Sequence, residues 1–380
     1  MAVQRQQQRA AKSPDMALWT LIVALVVVGL LLVFDASYAR SMDSPSAKFD
    51  PLFYPKRQAI YAVVGLIALA ITQRFDYRKL RPMAPALMLG TIVLLICVWV
   101  PGIGVKIAGA HRWIGRGINI QPAEIAKITL ILYLAAKLSE RAYPIRDWKL
   151  GLVGPIITIG FTALLIEQEP DLGTASVLFS TGLLVLLLGG AKKRHIATVF
   201  TVATLFAGLM IMRQGYRGNR VAVWLTPDKY YSGAGYQVSR GLVAVGSGGV
   251  LGVGIGHGRE KFYLPAANTD FIFATLAEET GLVGSLVLIG LLFFVVYQCF
   301  SIAHGAKDLF GALIATGVGS LIGVQSIINI AVVTGTIPAT GVPLPFISYG
   351  GSSLLFLLIG IGLVLSVARV SAAERTTAAD

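Results

Sequence analysis

Hydrophobic residues in this chain gather into ten long runs, near 17–34, 58–73, 83–100, 121–138, 150–166, 172–190, 195–212, 269–300, 310–333 and 346–368. Runs of this length suit helices that cross a bilayer, and none shows the strict alternation of a half-buried strand. The pattern predicts an all-α polytopic integral membrane protein with about ten transmembrane helices. The first run, Ala17 to Phe34, is longer than a signal-peptide core and reads as a retained span. The eighth is long enough to tilt or to extend past the bilayer. Polar positions then set the boundaries: a basic N-terminal tail at 1–16, expected to be disordered, one transmembrane domain at 17–368, and a C-terminal tail at 369–380. The one long connection, 213–269, lies between helices 7 and 8. Its aromatic, glycine-rich composition predicts order, and no internal repeat is visible.

An even number of spans places both termini on one side. The loops after spans two, four and six (RFDYRKLR, KLSERAYPIRDWK and AKKRH) carry four, four and three Lys or Arg. The loops after spans five and nine carry none. Cytoplasmic loops are the basic ones, so the termini are predicted to be cytoplasmic and the long connection extracytoplasmic. The loops after spans one and three carry four and three basic residues against that trend. Composition agrees with the membrane reading: of 380 residues 55% are hydrophobic and only 13% charged, against about 25% charged in a soluble domain. With that hydropathy, the net charge of +13 reads as loop charge facing anionic lipid, not as a nucleic-acid surface. Cys97 and Cys299 fall inside apolar runs and imply no disulfide framework.

Against this background a few charges stand out. The stretch GHGREKFYLPAANTDFIFATLAEETG, 256–281, sets Asp270 at the mouth of the eighth run and places Glu278 and Glu279 inside it. A carboxylate in a membrane segment is costly, which makes it a functional candidate. Asp270 after Thr269 could simply cap a helix. With Arg259 and Lys261 upstream, it could instead act as a general base beside an anionic substrate. The preceding GSGGVLGVGIGHG reads either as flexible or tightly turned backbone or as a close approach to a bulky substrate. Glu124 and Lys127, three apart in the fourth run, suit an intramembrane ion pair that is structural or lines a cavity. Arg112 beside Trp113 suits a phosphate and a ring. The turn Glu167 to Asp171 is either solvated or able to hold a hard divalent cation, with Asp171 as the candidate ligand. PATGVPLPFISYGGSS, 338–353, breaks the last membrane run with irregular backbone of the kind that lines cavities.

Read in order, VPGIGVKIAGAHRWI (100–114), IQPAEIAK (120–127), EPDLGTA (169–175), GAGYQ (233–237), KFYLPAANTDFIFATLAEETG (261–281) and LPFISYGGSS (344–353) resemble the SEDS family, polytopic glycosyltransferases of bacterial wall synthesis. The likeness spans residues 17 to 368, and the KRQ (56–58, in FYPKRQAIYAVVGL, 53–66), VPGIG and KFYLP stretches are more similar to its division branch than to its elongation branch. The resemblance implies polymerisation of lipid II into glycan strands on the outer face of the cytoplasmic membrane. It also implies work alongside a class B penicillin-binding transpeptidase and other division or elongation proteins, with no nucleic-acid partner. It assigns Asp270 as the essential aspartate and Glu124 with Lys127 as the paired charges of the fourth span. Arg112, Arg259, Lys261 and Ser348 become candidates for the pyrophosphate and sugar. No cofactor is assigned, and a divalent cation (Mg or Mn) is a candidate to assist the departing pyrophosphate. Asn268 stands where the family usually has His, and Thr340 where some division members have Lys, so no imidazole or lysine role carries over. A lipid II flippase or other transporter, or a non-catalytic scaffold, would fit the same charges.

Overall fold

The computed structural model describes residues 2–42, 49–107, 110–115, 119–213, 221–226 and 235–377. Each of the ten apolar runs lies on a helix. These are α1 (Ala2–Met42), α2 (Phe53–Thr72), α3 (Ala84–Cys97), α4 (Pro122–Leu138), α5 (Val153–Gln168), α6 (Leu172–Leu188) and α7 (Lys193–Arg213), followed by α9 (Ile272–Gly305), α10 (Leu309–Val333) and α11 (Gly351–Thr377). A further amphipathic helix, α8 (Tyr236–Ser247), lies in the long connection, of which residues 214–220 and 227–234 lie outside the described residues. Among the described residues, five helical segments are both long and apolar enough to cross a membrane: Met16–Tyr38, Trp148–Gln168, Ile272–Gly305, Leu309–Val333 and Gly351–Glu374. α3 and α6 are as apolar but shorter.

Burial sorts these helices into a centre and a rim. α4 is buried almost all round, as is most of α10, whereas α2 and α3 each bury a single stripe of four residues spaced three or four apart. Exposed Ile60, Val63, Ile67, Leu89 and Val93 on the rim are what lipid would cover. α10 packs on α9, α6 and α4, and α2 lies along α11. Small residues allow the close crossings: a Cβ on Gly317 would stand 2.5 Å from Ile131, and one on Gly65 2.5 Å from Leu358.

Both tails differ from expectation. The polar N-terminal stretch is helical from Ala2 and continuous with the first span, as Gln, Arg, Ala and Lys, all strong helix formers, allow. The C-terminal stretch continues α11 to Thr377. There Arg78 pairs with Glu374 at 2.5 Å and with Asp308 at 3.1 Å, while Arg369 donates to the carbonyls of Gln73 and Arg74. The connection between α3 and α4 holds a short antiparallel hairpin, β1 (Gly104–Ile107) with β2 (Ala110–Ile114), pairing Val105 with Trp113.

The eighth run is two helical pieces. At Gly281 the backbone turns to φ 64°, ψ −162°, a conformation open essentially to glycine. The break frees the carbonyls of Glu278 and Glu279, which accept from Val253 N and Gly254 N at 3.0 Å each. The glycine-rich segment 246–258 therefore wraps the broken helix itself. A Cβ on Gly248 would meet Ala277 O at 2.0 Å, and one on Gly252 would meet Glu279 O at 2.1 Å.

Candidate active site

Asp270 lies half-buried in the turn before α9, whose N-cap position is taken by Phe271, so it precedes the helix rather than occupying its first turn. Its backbone is fixed residue by residue. Asn268 O accepts from Tyr349 N at 2.9 Å, Thr269 O from Ser348 Oγ at 2.6 Å, and Asp270 O from Asn329 Nδ2 at 2.8 Å. The irregular segment 338–353 thus folds back over the Asp270 turn. A Cβ on Gly341 would stand 3.5 Å from Asp270 Oδ2, which places the carboxylate against that segment. Ala266 and Phe346, on the two facing turns, both hold positive φ (59° and 64°). Such conformations cost energy and persist where the surroundings over-determine them.

The charges inside α9 serve its own architecture. Glu278 accepts from the amides of Arg259 (2.7 Å) and Glu260 (3.2 Å), and Glu279 from those of Gly256 (3.0 Å) and Gly258 (3.2 Å). Lys261 does not meet solvent as a phosphate clamp would. Its ammonium is buried between Asp35 of α1 at 2.5 Å and Glu279 at 2.7 Å. Ser348 is likewise engaged within the protein, donating to Thr269 O and accepting from Leu344 N at 2.8 Å. Arg259 is exposed on the same loop.

Arg112 projects from β2 onto the turn after α5. Its Nε donates to Glu169 O at 2.7 Å, a terminal nitrogen donates to Pro170 O, and Asp171 lies 3.8 Å away. Asp171 caps α6 through Thr174 N at 3.0 Å and accepts from Gln121 Nε2 at 3.1 Å. Both of its oxygens are in use, and among the described residues no group of three or more His, Cys, Asp or Glu is placed to hold a metal. This donor set does not fit a protein cage for Mg or Mn. The turn abuts the Asp270 region, since a Cβ on Gly173 would meet Thr340 O at 2.5 Å.

Glu124 and Lys127 form the intramembrane pair at 2.8 Å, both side chains under 5% exposed. Lys127 also donates to Gln325 Oε1 at 3.2 Å, and Gln325 donates to Pro343 O at 2.9 Å, which connects the pair to the segment facing Asp270. No candidate site motif marks Gln325, Asn329 or Gln58, whose amide donates to Ser348 O and accepts from Gly350 N at 3.2 Å each. Amides inside apolar runs were the available signal.

A family model described as "Cell cycle protein", covering FtsW, RodA and SpoVE, matches residues 15–373. The chain belongs to the FtsW/RodA/SpoVE family. It is 36% identical to the probable peptidoglycan glycosyltransferase FtsW of Geobacter metallireducens, covering 93% of this chain and 94% of that protein. It is 40% identical to stage V sporulation protein E of Bacillus subtilis, over 94% and 98% of the two chains. Its fold superposes with TM-score 0.78 and 29% identity on a chain of a peptidoglycan synthase complex that coordinates polymerisation and crosslinking, covering 95% of this chain and 99% of that one. The match to RodA of Thermus thermophilus has TM-score 0.68 and 29% identity, with 93% and 96% covered. The SEDS resemblance and the polytopic helical membrane fold are thereby borne out.

Proposed function

We propose that the chain is a peptidoglycan glycosyltransferase that joins lipid II disaccharide-pentapeptide units into glycan strands for the division septum, on the outer face of the cytoplasmic membrane. The observation that carries this reading is the half-buried Asp270, its backbone pinned over three successive carbonyls and its carboxylate set against Gly341. A carboxylate carried on backbone held that firmly is suited to act as a general base. In the reaction, the 4-hydroxyl of the acceptor sugar gives its proton to Asp270 as its oxygen attacks the anomeric carbon of the donor. The bond to undecaprenyl pyrophosphate breaks and the α-linkage inverts to a β-1,4 link. A pyrophosphate leaves without a carboxylic acid to protonate it, so one carboxylate suffices.

Negative charge on the leaving group calls for cations. Arg259, exposed on the loop before Asp270, and Arg112 at the neighbouring turn are the groups assigned to it. Lys261 and Ser348 hold the scaffold instead, as does the Glu124–Lys127 pair through Gln325. Likeness to a chain of a peptidoglycan synthase complex supports a class B penicillin-binding transpeptidase as partner, which would crosslink the strands.

The test supplies lipid II to the purified chain, with and without its transpeptidase, and resolves polymer on a gel. Wild type is expected to polymerise and Asp270→Asn, of the same shape without the basicity, to lose about 100-fold or more. Polymer from a folded Asp270→Asn at the wild-type rate would remove Asp270 from the chemistry. Lipid II movement across a bilayer without polymer would favour transport, and neither activity would favour a scaffold.

A further inference from the structure

Behind Asp270 stands a buried amide that neither the charge pattern nor the resemblance singled out. Asn329, on α10, is 1% exposed. Its Nδ2 group donates to two carbonyls of different segments, Asp270 O at 2.8 Å and Val342 O at 2.7 Å. One turn earlier on the same face, Gln325 holds Pro343 O and accepts from Lys127. α10 therefore grips two successive carbonyls of the segment beyond Gly341, and through Asn329 it also grips the residue whose carboxylate faces that glycine. The neighbouring carbonyls of Asn268 and Thr269 are bonded elsewhere, to Tyr349 and Ser348.

We propose that Asn329 is a positioning residue for glycosyl transfer: by bridging the backbone of Asp270 to that of Val342 it sets the Asp270 carboxylate at the working distance from the 339–344 segment, without itself contacting substrate. The inference rests on Asp270 being the base. Packing alone would not select asparagine here. Asn329 Oδ1 is buried without a hydrogen-bond partner, so the amide is held with part of its capacity unmade, at a cost in stability. A leucine, branched at the same carbon though larger, has no unmade hydrogen bond of its own but leaves the carbonyls of Asp270 and Val342 without this donor and cannot bridge them. Gly341 lies beside the bridge with φ +79°, so the wall facing Asp270 is a backbone that needs holding in shape. Misplacing a catalytic group by about 1 Å costs about 100-fold in rate.

The test is steady-state polymerisation by the full chain with its transpeptidase partner, lipid II being titrated, for wild type, Asp270→Asn, Asn329→Leu and Asn329→Gln. Asn329→Leu is expected to lower kcat about 10- to 100-fold while KM for lipid II stays within about twofold, in protein whose thermal melt shows it folded. A wild-type kcat in Asn329→Leu, or a loss confined to KM, would overturn the proposal. Should the leucine variant not fold, Asn329→Gln, which moves the amide outward by one methylene, is read by the same criterion. Wild type without polymer, or an active Asp270→Asn, would remove the base reading and this inference with it. Wild type active, Asp270→Asn inactive and Asn329→Leu unimpaired would remove the inference alone.

Discussion

Glu169 shows how far a single residue can be driven by its surroundings. It closes α5 with no exposed surface, and both its carboxylate oxygens lack hydrogen-bond partners. Burial, then the neighbouring Asp171 carboxylate, push its pKa up to about 8 from an ordinary 4.5, against the pull of Arg112. Between those values the folded chain keeps a proton that the unfolded chain has released. Stability from this group is therefore full below pH 4.5, falls as pH rises through about 8, and is flat above. Glu169→Gln keeps the shape and removes the charge. Its melting temperature in detergent is expected to match wild type near pH 5 and to exceed it by roughly 5 °C near pH 9. Equal differences at both pH values would show that the carboxyl does not titrate as described. Asp270 and the acidic turn were legible as residues because charge is rare and costly in apolar sequence. The fate of Lys261 was not, because its partner Asp35 lies 226 positions away in the chain. A cation near an aspartate in sequence reads as a ligand for substrate until the fold supplies a nearer carboxylate.

Among the elements, α9 carries the most structure that its sequence conceals. Its apolar run is continuous across Gly281, and hydropathy alone gives one long tilted helix. The break is decided by contact: Gly252 lies across the kink, and a Cβ on Gly281 would stand 2.4 Å from Gly252 N and 2.6 Å from Val250 O. The break also presents the carbonyls of Glu278 and Glu279 to Val253 and Gly254, while their carboxylates collect loop amides and Lys261. Gly281→Ala adds a side chain where neither φ nor space permits one, at a cost on the order of 2–3 kcal/mol or more. The expected result is a lower thermal midpoint and lower yield of folded protein, measured by fluorescence-detected melting. Gly290→Ala makes the control, because a Cβ there meets nothing within 4 Å. Equal behaviour of the two variants would mean that the kink is not needed. The apolar helices were legible as runs because burial in lipid leaves long unbroken apolar stretches, whereas amphipathic α8 in the long connection was not. The hairpin after α3 was not, since its alternation covers only a few residues between two spans.

For the whole molecule, the two ends of the helical array carry different chemistry. One end gathers Asp270, Arg112, Glu169, the 338–353 segment and the triad of Asp35, Lys261 and Glu279. The opposite end gathers Arg78 with Asp308 and Glu374, Arg81 on the carbonyl of Ser139, and the Lys137–Glu140 pair. The three basic loops after α2, α4 and α6 all fall at that opposite end, and the positive-inside tendency predicts it to be cytoplasmic. On that prediction Asp270 faces outward. In a variant lacking Cys97 and Cys299, His257→Cys, on the exposed loop before Asp270, is expected to react with a membrane-impermeant thiol reagent added to intact cells. Arg141→Cys, exposed at the other end, is expected to react only after permeabilisation. The reverse pattern would put the aspartate on the cytoplasmic side, and transfer on the outer surface would be excluded. The two basic loops at the Asp270 end, after α1 and α3, are what make this measurement necessary: charge counting weighs them against the orientation, whereas in the fold Lys56 pairs with Asp50 and Arg112 is bound to the 169–171 turn. Pairing does not decide between the two ends, since Arg78 and Lys137 at the opposite end are paired as well, so the thiol-labelling pattern is the observation that assigns the face of Asp270.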